Sequence, residues 1–168
     1  KDTEKSTNRF STHFCADIYS NGKLVGMPAH LGLITHQGDT IQFTPEGLAY
    51  VKAVNPIMDD VGPDGRTIGA EEERILLNCI RNHLPSEWKF MDEVLNWIEQ
   101  GHNNPTTLTE KITEEYGIEN GGIWNDEQSR TYRGGAIGRL GELMLITREW
   151  KFRSVTYHVA RRLPGEKE

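Results

Sequence analysis

Two apolar tetrapeptides in this chain each run into a pattern that is typical of a β-hairpin. Leu31-Gly32-Leu33-Ile34 is followed by the turn signal Gly38-Asp39 and by a strand-like segment over 40–43. Leu143-Met144-Leu145-Ile146 leads into a tight turn and then into the segment 152–159, whose apolar residues alternate as in a half-buried strand. A repeated pattern of this kind predicts two structural units of one type within the chain.

Helical patterns accompany both hairpins. After the first hairpin, Thr44 is expected to cap a helix that begins at Pro45, and Leu48, Val51 and Ala53 supply part of its apolar face. The segment 10–30 before that hairpin is expected to hold further helices. Ahead of the second hairpin, four helices are predicted. The first runs from Glu71 to His83, and its apolar face consists of Leu76, Cys79, Ile80 and His83. The second is capped by Ser86 and ends at Gly101, and its apolar stripe consists of Met91, Val94, Leu95 and Ile98. The third begins with a capping box of Thr107 and Glu110 and ends near Gly117, and the fourth runs from Asp126 to Met144.

Helices that end in a small hairpin are arranged in the order of a winged helix-turn-helix. We therefore predict a mainly α chain with small β-hairpins, an α+β fold built from tandem winged helix-turn-helix units. The first unit is expected over 1–58 without a clear N-terminal pattern, a linker over 59–69, the second unit over 70–163 and a tail over 164–168.

The bulk composition fits a cytoplasmic protein without membrane attachment. The chain has 168 residues, and its apolar runs are much shorter than the roughly 18 residues of a membrane span. The start is polar and unlike a signal peptide, and its first residue, Lys1, is compatible with a fragment of a longer protein. Cys15 and Cys79 are expected to be reduced core thiols, and the histidines lack the spacing of metal ligands.

Charge is distributed very unevenly along the sequence. The net charge is −6, yet the segment 128–163 contains eight basic residues and only two acidic ones. The rest of the chain is therefore strongly acidic. This polarity predicts one surface that attracts a polyanion and other surfaces that repel it.

The basic residues lie on the last predicted helix and on the hairpin after it. The last helix of a helix-turn-helix enters the major groove of DNA, where its N-terminal half contacts bases. The predicted base contacts are Gln128, Arg130, Thr131 and Arg133. The predicted phosphate contacts are Arg139, Arg148, Lys151 and Arg153.

The same helix carries glycines at Gly134, Gly135 and Gly138 on the side opposite its apolar face. Each glycine inside a helix costs about 1 kcal/mol relative to alanine, so several on one face call for compensation. Two explanations stay open at this point. The glycines allow the helix backbone to approach DNA closely, or they allow tight packing against another helix.

A second kind of chemistry is suggested by Pro63-Asp64 followed by Glu87-Trp88-Lys89. Metal-dependent nucleases of the PD-(D/E)XK type use such an Asp, Glu and Lys on adjacent strands to hold Mg²⁺ and steer water. Here Asp64 lies in a turn pattern, and Glu87 and Lys89 open a predicted helix. A further copy, Glu149-Trp150-Lys151, lies in the hairpin. We therefore predict no catalytic residues, and the triad of Asp64, Glu87 and Lys89 remains an alternative.

The stretches LGLITHQGDTIQFTPEGLAY and WNDEQSRTYRGGAIGRLGELMLI resemble the DNA-recognition half of FokI-like type IIS restriction endonucleases. The positions that fit best are Trp124, Ser129, Tyr132, Gly138, Leu140 and Leu143. The resemblance implies winged-helix subdomains in tandem, sequence-specific reading of duplex DNA, and cleavage by a separate domain. Arg133-Gly134-Gly135 and Arg139 depart from the family, so the recognised sequence does not carry over.

The predicted function is sequence-specific binding of double-stranded DNA as the recognition part of a restriction or DNA-defence protein. A nuclease domain in the same polypeptide or complex is an expected partner. No cofactor is expected in this chain, and Mg²⁺ only with such a nuclease domain. The alternatives are a winged-helix transcription regulator that dimerises on a palindrome, the Mg²⁺-dependent nuclease, and a winged helix that binds protein through the acidic N-terminal part.

Overall fold

The computed structural model describes residues 17–18, 22–59 and 66–165. Within these ranges the chain combines six α-helices with short antiparallel two-stranded sheets, so the fold is mixed α+β. The chain divides into two compact units between Glu87 and Trp88. This boundary lies later in the chain than the predicted linker over 59–69. In the described ranges, no helix combines the length and the apolar character that crossing a membrane requires.

In its described residues, the first unit contains the β3–β4 hairpin, a second pair of two-residue antiparallel strands and three helices. Its elements in order are β1 (Asp17–Ile18), β2 (Leu24–Val25), α1 (Met27–His30), β3 (Ile34–Gln37), β4 (Thr40–Phe43), α2 (Pro45–Lys52) and α3 (Ala70–His83). Strand β1 pairs with β2, and β3 pairs with β4. Of the helices expected over 10–30, the described residues contain only the short α1, and the residues 10–16 and 19–21 lie outside the described part.

Helix α2 begins as predicted but buries a different side. The Thr44 hydroxyl accepts a hydrogen bond of 3.0 Å from the Gly47 amide, and Pro45 occupies the first turn. The predicted face is wrong for Leu48 and Val51, which are 45% and 56% exposed. The cause is Gly47, where an added Cβ would lie only 1.8 Å from the Leu33 carbonyl oxygen. This close approach, which apolar periodicity does not reveal, selects the buried side of α2.

The core of the first unit joins the start of the β3–β4 hairpin to α3. Leu33, Ile75 and Cys79 form a buried cluster, and Tyr50 of α2 and Ala53, which directly follows α2, pack against it. Cys79 is a free thiol, and burial raises its pKa, as expected for a core cysteine. Cys15 lies outside the described residues.

Helix α3 follows its predicted apolar face only in part. Cys79 and Ile80 are buried and Leu76 is half-buried, but His83 is exposed. The His83 ring lies over Gly32, where a Cβ would come within 2.4 Å of Nε2. A polar ring that covers a glycine backbone occupies the place where periodicity predicted a core residue.

Asn55 connects the segments on the two sides of the predicted linker. The Asn55 side-chain oxygen accepts hydrogen bonds from the amides of Ile57 and Met58, each at 2.9 Å. Its side-chain amide donates to the carboxylate of Glu72, which also accepts from the Gly69 amide at 2.7 Å. Asn55 therefore ties the end of the α2 segment to the first turn of α3.

The second unit contains three long helices followed by one hairpin. Its elements are α4 (Pro85–Glu99), which begins just before the division, α5 (Pro105–Tyr116), a 3-10 turn (Ile118–Asn120), α6 (Asp126–Glu142), β5 (Ile146–Lys151) and β6 (Ser154–Val159). The predicted stripe of α4 is confirmed: Met91, Val94 and Leu95 are fully buried, and Ile98 nearly so. Gly101 follows α4 with φ +101°, as its predicted role of helix stop requires.

Two helix starts differ from the predictions. Helix α4 begins at Pro85, so Ser86 lies inside its first turn and is not the N-cap. Helix α5 is capped by Asn104, whose side chain accepts from the amides of Thr106 and Thr107. Thr107 is therefore inside the helix, and the predicted capping box with Glu110 is wrong. Proline fits the first helical turn because its missing N–H leaves no donor unsatisfied, and this overrides the serine and threonine signals.

Aromatic rings join α4 and α5 to the segment before α6. The Trp124 ring stacks on Tyr116 with centroids 4.6 Å apart, and the Phe90 ring meets Trp124 edge-on at 5.4 Å. The Tyr116 hydroxyl donates a hydrogen bond to the Glu93 carboxylate. Burial, reinforced by this carboxylate, raises the pKa of Tyr116 to about 12. The phenol therefore stays protonated while it holds α5 against α4.

Helix α6 ends in a left-handed cap. Met144 has φ +53°, and its amide donates to the Gly141 carbonyl at 3.1 Å. The Leu145 amide donates to the Leu140 carbonyl at 2.8 Å. These two bonds form a Schellman motif, and the buried side chains of Leu140 and Leu145 supply its usual apolar contact.

Helix α1 of the first unit ends in the same way. Gly32 has φ +69°, its amide donates to the Ala29 carbonyl at 3.0 Å, and the Leu33 amide donates to the Pro28 carbonyl at 2.9 Å. Glycine adopts this backbone conformation without the steric cost that other residues incur.

The two caps also lead into their hairpins identically. The Leu33 carbonyl accepts from the Thr44 amide, just after β4, and the Leu145 carbonyl accepts from the Ala160 amide, just after β6. The repeated tetrapeptides of the sequence thus share a backbone geometry from helix cap to hairpin. One difference is that Met144 occupies the left-handed position where the first unit has Gly32.

Because the backbone of Met144 is left-handed, glycine should be more stabilising than alanine at this position. This is the reverse of the preference inside a helix. Met144→Gly and Met144→Ala both remove the side chain beyond Cβ, and we expect the glycine variant to be more stable by about 1 kcal/mol because it has no Cβ to strain. At Gly138, inside α6, Gly138→Ala should instead gain about 1 kcal/mol. Urea unfolding of the four proteins measures both differences. Equal stability of the two Met144 variants would contradict the cap.

Candidate nucleic-acid interface

The N-terminus of α6 is closed by a reciprocal capping box. The Asn125 side chain accepts from the Gln128 amide at 2.9 Å, and the Gln128 side-chain oxygen accepts from the Asn125 amide at 2.9 Å. Gln128 was predicted to contact a base. In the structure its side-chain carbonyl is engaged in the cap, so only its NH₂ group remains available to an external partner.

One side of α6 is buried and aligned by packing. Ala136, Leu140 and Leu143 are buried as the sequence predicts. Tyr132 shares this face but is 46% exposed, and its ring stacks on Trp124 with centroids 4.2 Å apart. The stack holds the second turn of α6 against the aromatic group formed by Phe90, Tyr116 and Trp124.

The other side of α6 is open. A Cβ added at Gly134, Gly135 or Gly138 would meet nothing within 4 Å. Arg130 and Thr131 are exposed on the preceding turn, where the Thr131 hydroxyl donates to the Glu127 carbonyl at 2.9 Å. Within the described residues, therefore, these three glycines do not serve tight helix–helix packing, which was one of the two explanations left open by the sequence.

Arg133 makes contacts inside the second unit. It is half-buried, and its Nη1 donates to the Pro105 carbonyl at 2.7 Å and to the Thr109 hydroxyl at 2.6 Å. These acceptors lie on the first turns of α5, so Arg133 ties α5 to α6. A base contact by Arg133 would have to replace both bonds, and its role as a base reader stays a prediction.

Arg148 joins the hairpin to α6. Its Nη2 donates to the Ile137 carbonyl at 2.8 Å, and the guanidinium lies over Gly141, where a Cβ would come within 3.0 Å of Nη2. The fourth helical glycine thus makes room for an arginine of β5. Arg148 was predicted to contact phosphate, and the structure gives it a bond that positions the hairpin on the helix.

The remaining cations lie on the hairpin and at the end of α6. Lys151 is exposed and pairs with Glu149 at 3.0 Å, and His158 lies 3.3 Å from the same carboxylate. The pKa of Glu149 is lowered from its usual value, mainly by the hydrogen bond with Lys151 and next by the one with His158. Arg153 is exposed, and in the described part of the chain neither Arg153 nor Arg130 has a hydrogen-bond or ion-pair partner. Arg139 is half-buried in the last turn of α6 and engages another group of the protein.

The alternative nuclease triad is not assembled by the described residues. Glu87 and Lys89 lie two positions apart in the first turns of α4, where side chains point in different directions. The Lys89 ammonium lies 3.5 Å from Glu93, and Asp64 lies outside the described residues. No group of three metal-ligating side chains was found in the described ranges. The helical setting of Glu87 and Lys89 agrees with the sequence-based prediction.

Comparison with protein-family models, with curated proteins and with solved structures found no match. The resemblance to the recognition half of FokI-like enzymes therefore stays a prediction. The function is therefore inferred from the geometry of the second unit.

Sequence reasoning missed two features of this surface. The acceptors of Arg133 belong to a helix 24–28 positions earlier, and local pattern does not reveal such a partner. The exposure of Phe152 at the hairpin tip was also missed. The sequence pattern placed Phe152 in the second strand, over 152–159, whereas the strand pairing makes Phe152 and Arg153 the turn residues.

Arg133 is expected to contribute to stability, unlike Arg130 of the same helix. Arg133→Met keeps the length and loses two charge-assisted bonds, so we expect a loss of about 2 kcal/mol in the free energy of unfolding. Arg130→Met removes an exposed, unpaired guanidinium and should change stability by less than about 0.5 kcal/mol. Chemical denaturation compares the two. Equal effects would contradict the structural role of Arg133.

Proposed function

We propose that the second unit is a winged helix-turn-helix that binds double-stranded DNA in a sequence-specific manner. Helix α6 enters the major groove, and the β5–β6 hairpin acts as the wing. The observation that carries the proposal is the open glycine face of α6, which adjoins exposed Arg130 and Thr131. The order of three helices followed by a hairpin supports the winged-helix assignment.

The energetics of the glycine face favour an external partner. Three glycines cost α6 about 3 kcal/mol relative to three alanines. In the described residues nothing packs against their open sides, so this loss has no compensation among those residues. A duplex that approaches the bare backbone of α6 would supply contacts that side chains at these positions would block.

The charges near this face fit a phosphate backbone. Arg130 and Arg153 are exposed with no partner in the described chain, and both are available for DNA. Lys151 is paired with Glu149, but an exposed ion pair of this kind contributes only about 0–1 kcal/mol and can exchange for phosphate. We assign base contacts to Arg130 and Thr131, with Gln128 in support through its NH₂ group, and phosphate contacts to Lys151 and Arg153.

In its wider role the chain is proposed as the recognition part of a restriction or DNA-defence protein. Cleavage would then be performed by a separate nuclease domain, and Mg²⁺ would belong to that domain. The first unit is proposed as a second module of the same kind, because its α1–β3–β4 segment shares the cap and hairpin geometry of the second unit.

A second candidate function rests on the surface of the first unit. Ile41, Phe43, Leu48 and Val51 are 41–56% exposed on β4 and α2. A group of exposed apolar side chains is typical of protein interaction sites. This observation favours the alternatives in which the chain dimerises as a regulator or binds another protein.

Selection of bound duplexes from a random pool, at an ionic strength of about 0.15 M, tests the proposal. We expect enrichment of one short, asymmetric site. Arg130→Ala should relax preference at one base pair at a cost of about 1–3 kcal/mol, whereas Lys151→Ala should weaken all sequences alike and reduce the salt slope by about 1.

Other results of this selection would point elsewhere. A pool without enrichment would contradict sequence-specific binding, and a symmetric site would favour the dimeric regulator. Mg²⁺-dependent cleavage that disappears in Glu87→Gln would support the nuclease that uses Asp64, Glu87 and Lys89.

The glycine face predicts that stability and DNA affinity change in opposite directions. The double variant Gly134→Ala/Gly138→Ala should gain about 2 kcal/mol of stability and lose DNA affinity, because two methyl groups separate the helix from the duplex. Gly101→Ala is the matched control. It lies outside α6 at φ +101°, so it should lose stability while the folded protein retains its affinity. An unchanged affinity in the double variant would exclude close approach of α6.

A further inference from the structure

The tip of the β5–β6 hairpin exposes two aromatic side chains. Phe152 is fully exposed and Trp150 is 67% exposed. Trp150 pairs with Val155, whose side chain is buried on the same face of the hairpin, whereas Phe152 lies in the turn itself. Phe152 and Arg153 are therefore the two residues at the tip of the hairpin, and Phe152 is the apolar one.

The backbone of Phe152 is unfavourable for a bulky residue. Its φ is +55°, in the left-handed region that non-glycine residues rarely occupy. Phe152 is the first of two turn residues between the paired Lys151 and Ser154. A strained backbone conformation that carries an exposed ring has no compensation among the described residues.

The first unit shows what this turn ordinarily requires. The β3–β4 hairpin of the first unit also has two turn residues, between the paired Gln37 and Thr40. The first of them is Gly38, with φ +56°. Glycine adopts that conformation freely. Both hairpins thus have a two-residue turn whose first residue is left-handed. That residue is a glycine in the first unit and an exposed phenylalanine in the second. Strain kept at an exposed position motivates a functional hypothesis.

The residues around Phe152 define the chemistry of a partner. Lys151 and Arg153 flank the ring with positive charge, and the Ser154 hydroxyl donates to the Lys151 carbonyl at 2.8 Å, which stiffens the turn. An apolar ring between two cations matches a base step between two phosphate backbones. Apolar side chains that enter the minor groove unstack such steps and bend the duplex.

We propose that Phe152 is a wedge that inserts from the minor groove between two base pairs and kinks the DNA bound by α6. This inference rests on the proposed DNA binding and adds a specific mechanism to it. Sequence preference would then come partly from the step that unstacks most easily, because flexible pyrimidine–purine steps are kinked at the lowest cost.

An anionic membrane is the other surface that an aromatic tip with two cations suits. DNA is favoured because the chain as a whole has a net charge of −6, which disfavours broad contact with an anionic bilayer. A duplex needs only the tip and one helix face.

The test compares wild type, Phe152→Gly and Phe152→Leu on duplexes enriched by the wild-type protein. End-to-end energy transfer reports bending, and 2-aminopurine placed at successive positions reports unstacking. We expect a bend of about 20–90° and one bright step with wild type, and both should persist with leucine, which is also an apolar wedge. Phe152→Gly should lose both signals and about 10-fold in affinity. Its melting temperature should rise by about 2–4 °C as the turn relaxes.

The outcomes separate the two proposals. If wild type binds no duplex, both fail. If it binds an unbent duplex, or if bending and 2-aminopurine signals persist in Phe152→Gly, the wedge is overturned and DNA binding stands. Binding to vesicles of phosphatidylserine and phosphatidylcholine that requires Phe152, with no bending of DNA, would overturn the wedge in favour of a lipid surface.

Discussion

The hydrogen bond from the Leu145 amide to the Leu140 carbonyl sets the geometry on which the second unit depends. It ends α6 and starts β5 within three residues, so the hairpin leaves the helix in a fixed direction. Arg148 then returns from β5 to the Ile137 carbonyl and fastens the same two elements from the other side. The Tyr157 amide bonds to the Asn103 carbonyl and attaches the hairpin to the loop after α4. The exposed cations and the aromatic tip are placed by this junction.

The arginines of the basic segment divide into two groups with different tasks. Arg133 and Arg148 donate to backbone carbonyls and join elements of the unit, while Arg130 and Arg153 face outward. A guanidinium offers five donors, which suits carbonyls at helix junctions as well as phosphates. The count of basic residues therefore overstates the surface available to a polyanion. What distinguishes the groups is the presence of an acceptor on a neighbouring helix.

Much of the fold follows from local sequence signals, and the failures have physical causes. The stripe of α4 was predictable because its four apolar positions repeat with helical spacing. The starts of α4 and α5 were not, because Ser86 and Thr107 offered plausible caps while the prolines before them fixed the first turns. The buried side of α2 depends on a close approach of Gly47 to a distant carbonyl. At the candidate interface, the helical wheel placed Gly134, Gly135 and Gly138 opposite the apolar face of α6, but it did not decide between an open face and a packed one. The acceptors of Arg133 depend on tertiary contacts, which the sequence alone does not specify.

The β3–β4 and β5–β6 hairpins differ in length as well as in the first residue of their turns. Strands β3 and β4 have four residues each, whereas β5 and β6 have six. A strand rises about 3.3 Å per residue, so two extra residues carry the second tip about 7 Å further from its helix cap. The minor groove of B-DNA is about 7.5 Å deep. The added length gives the second hairpin a reach comparable to the depth of that groove, which the first hairpin lacks.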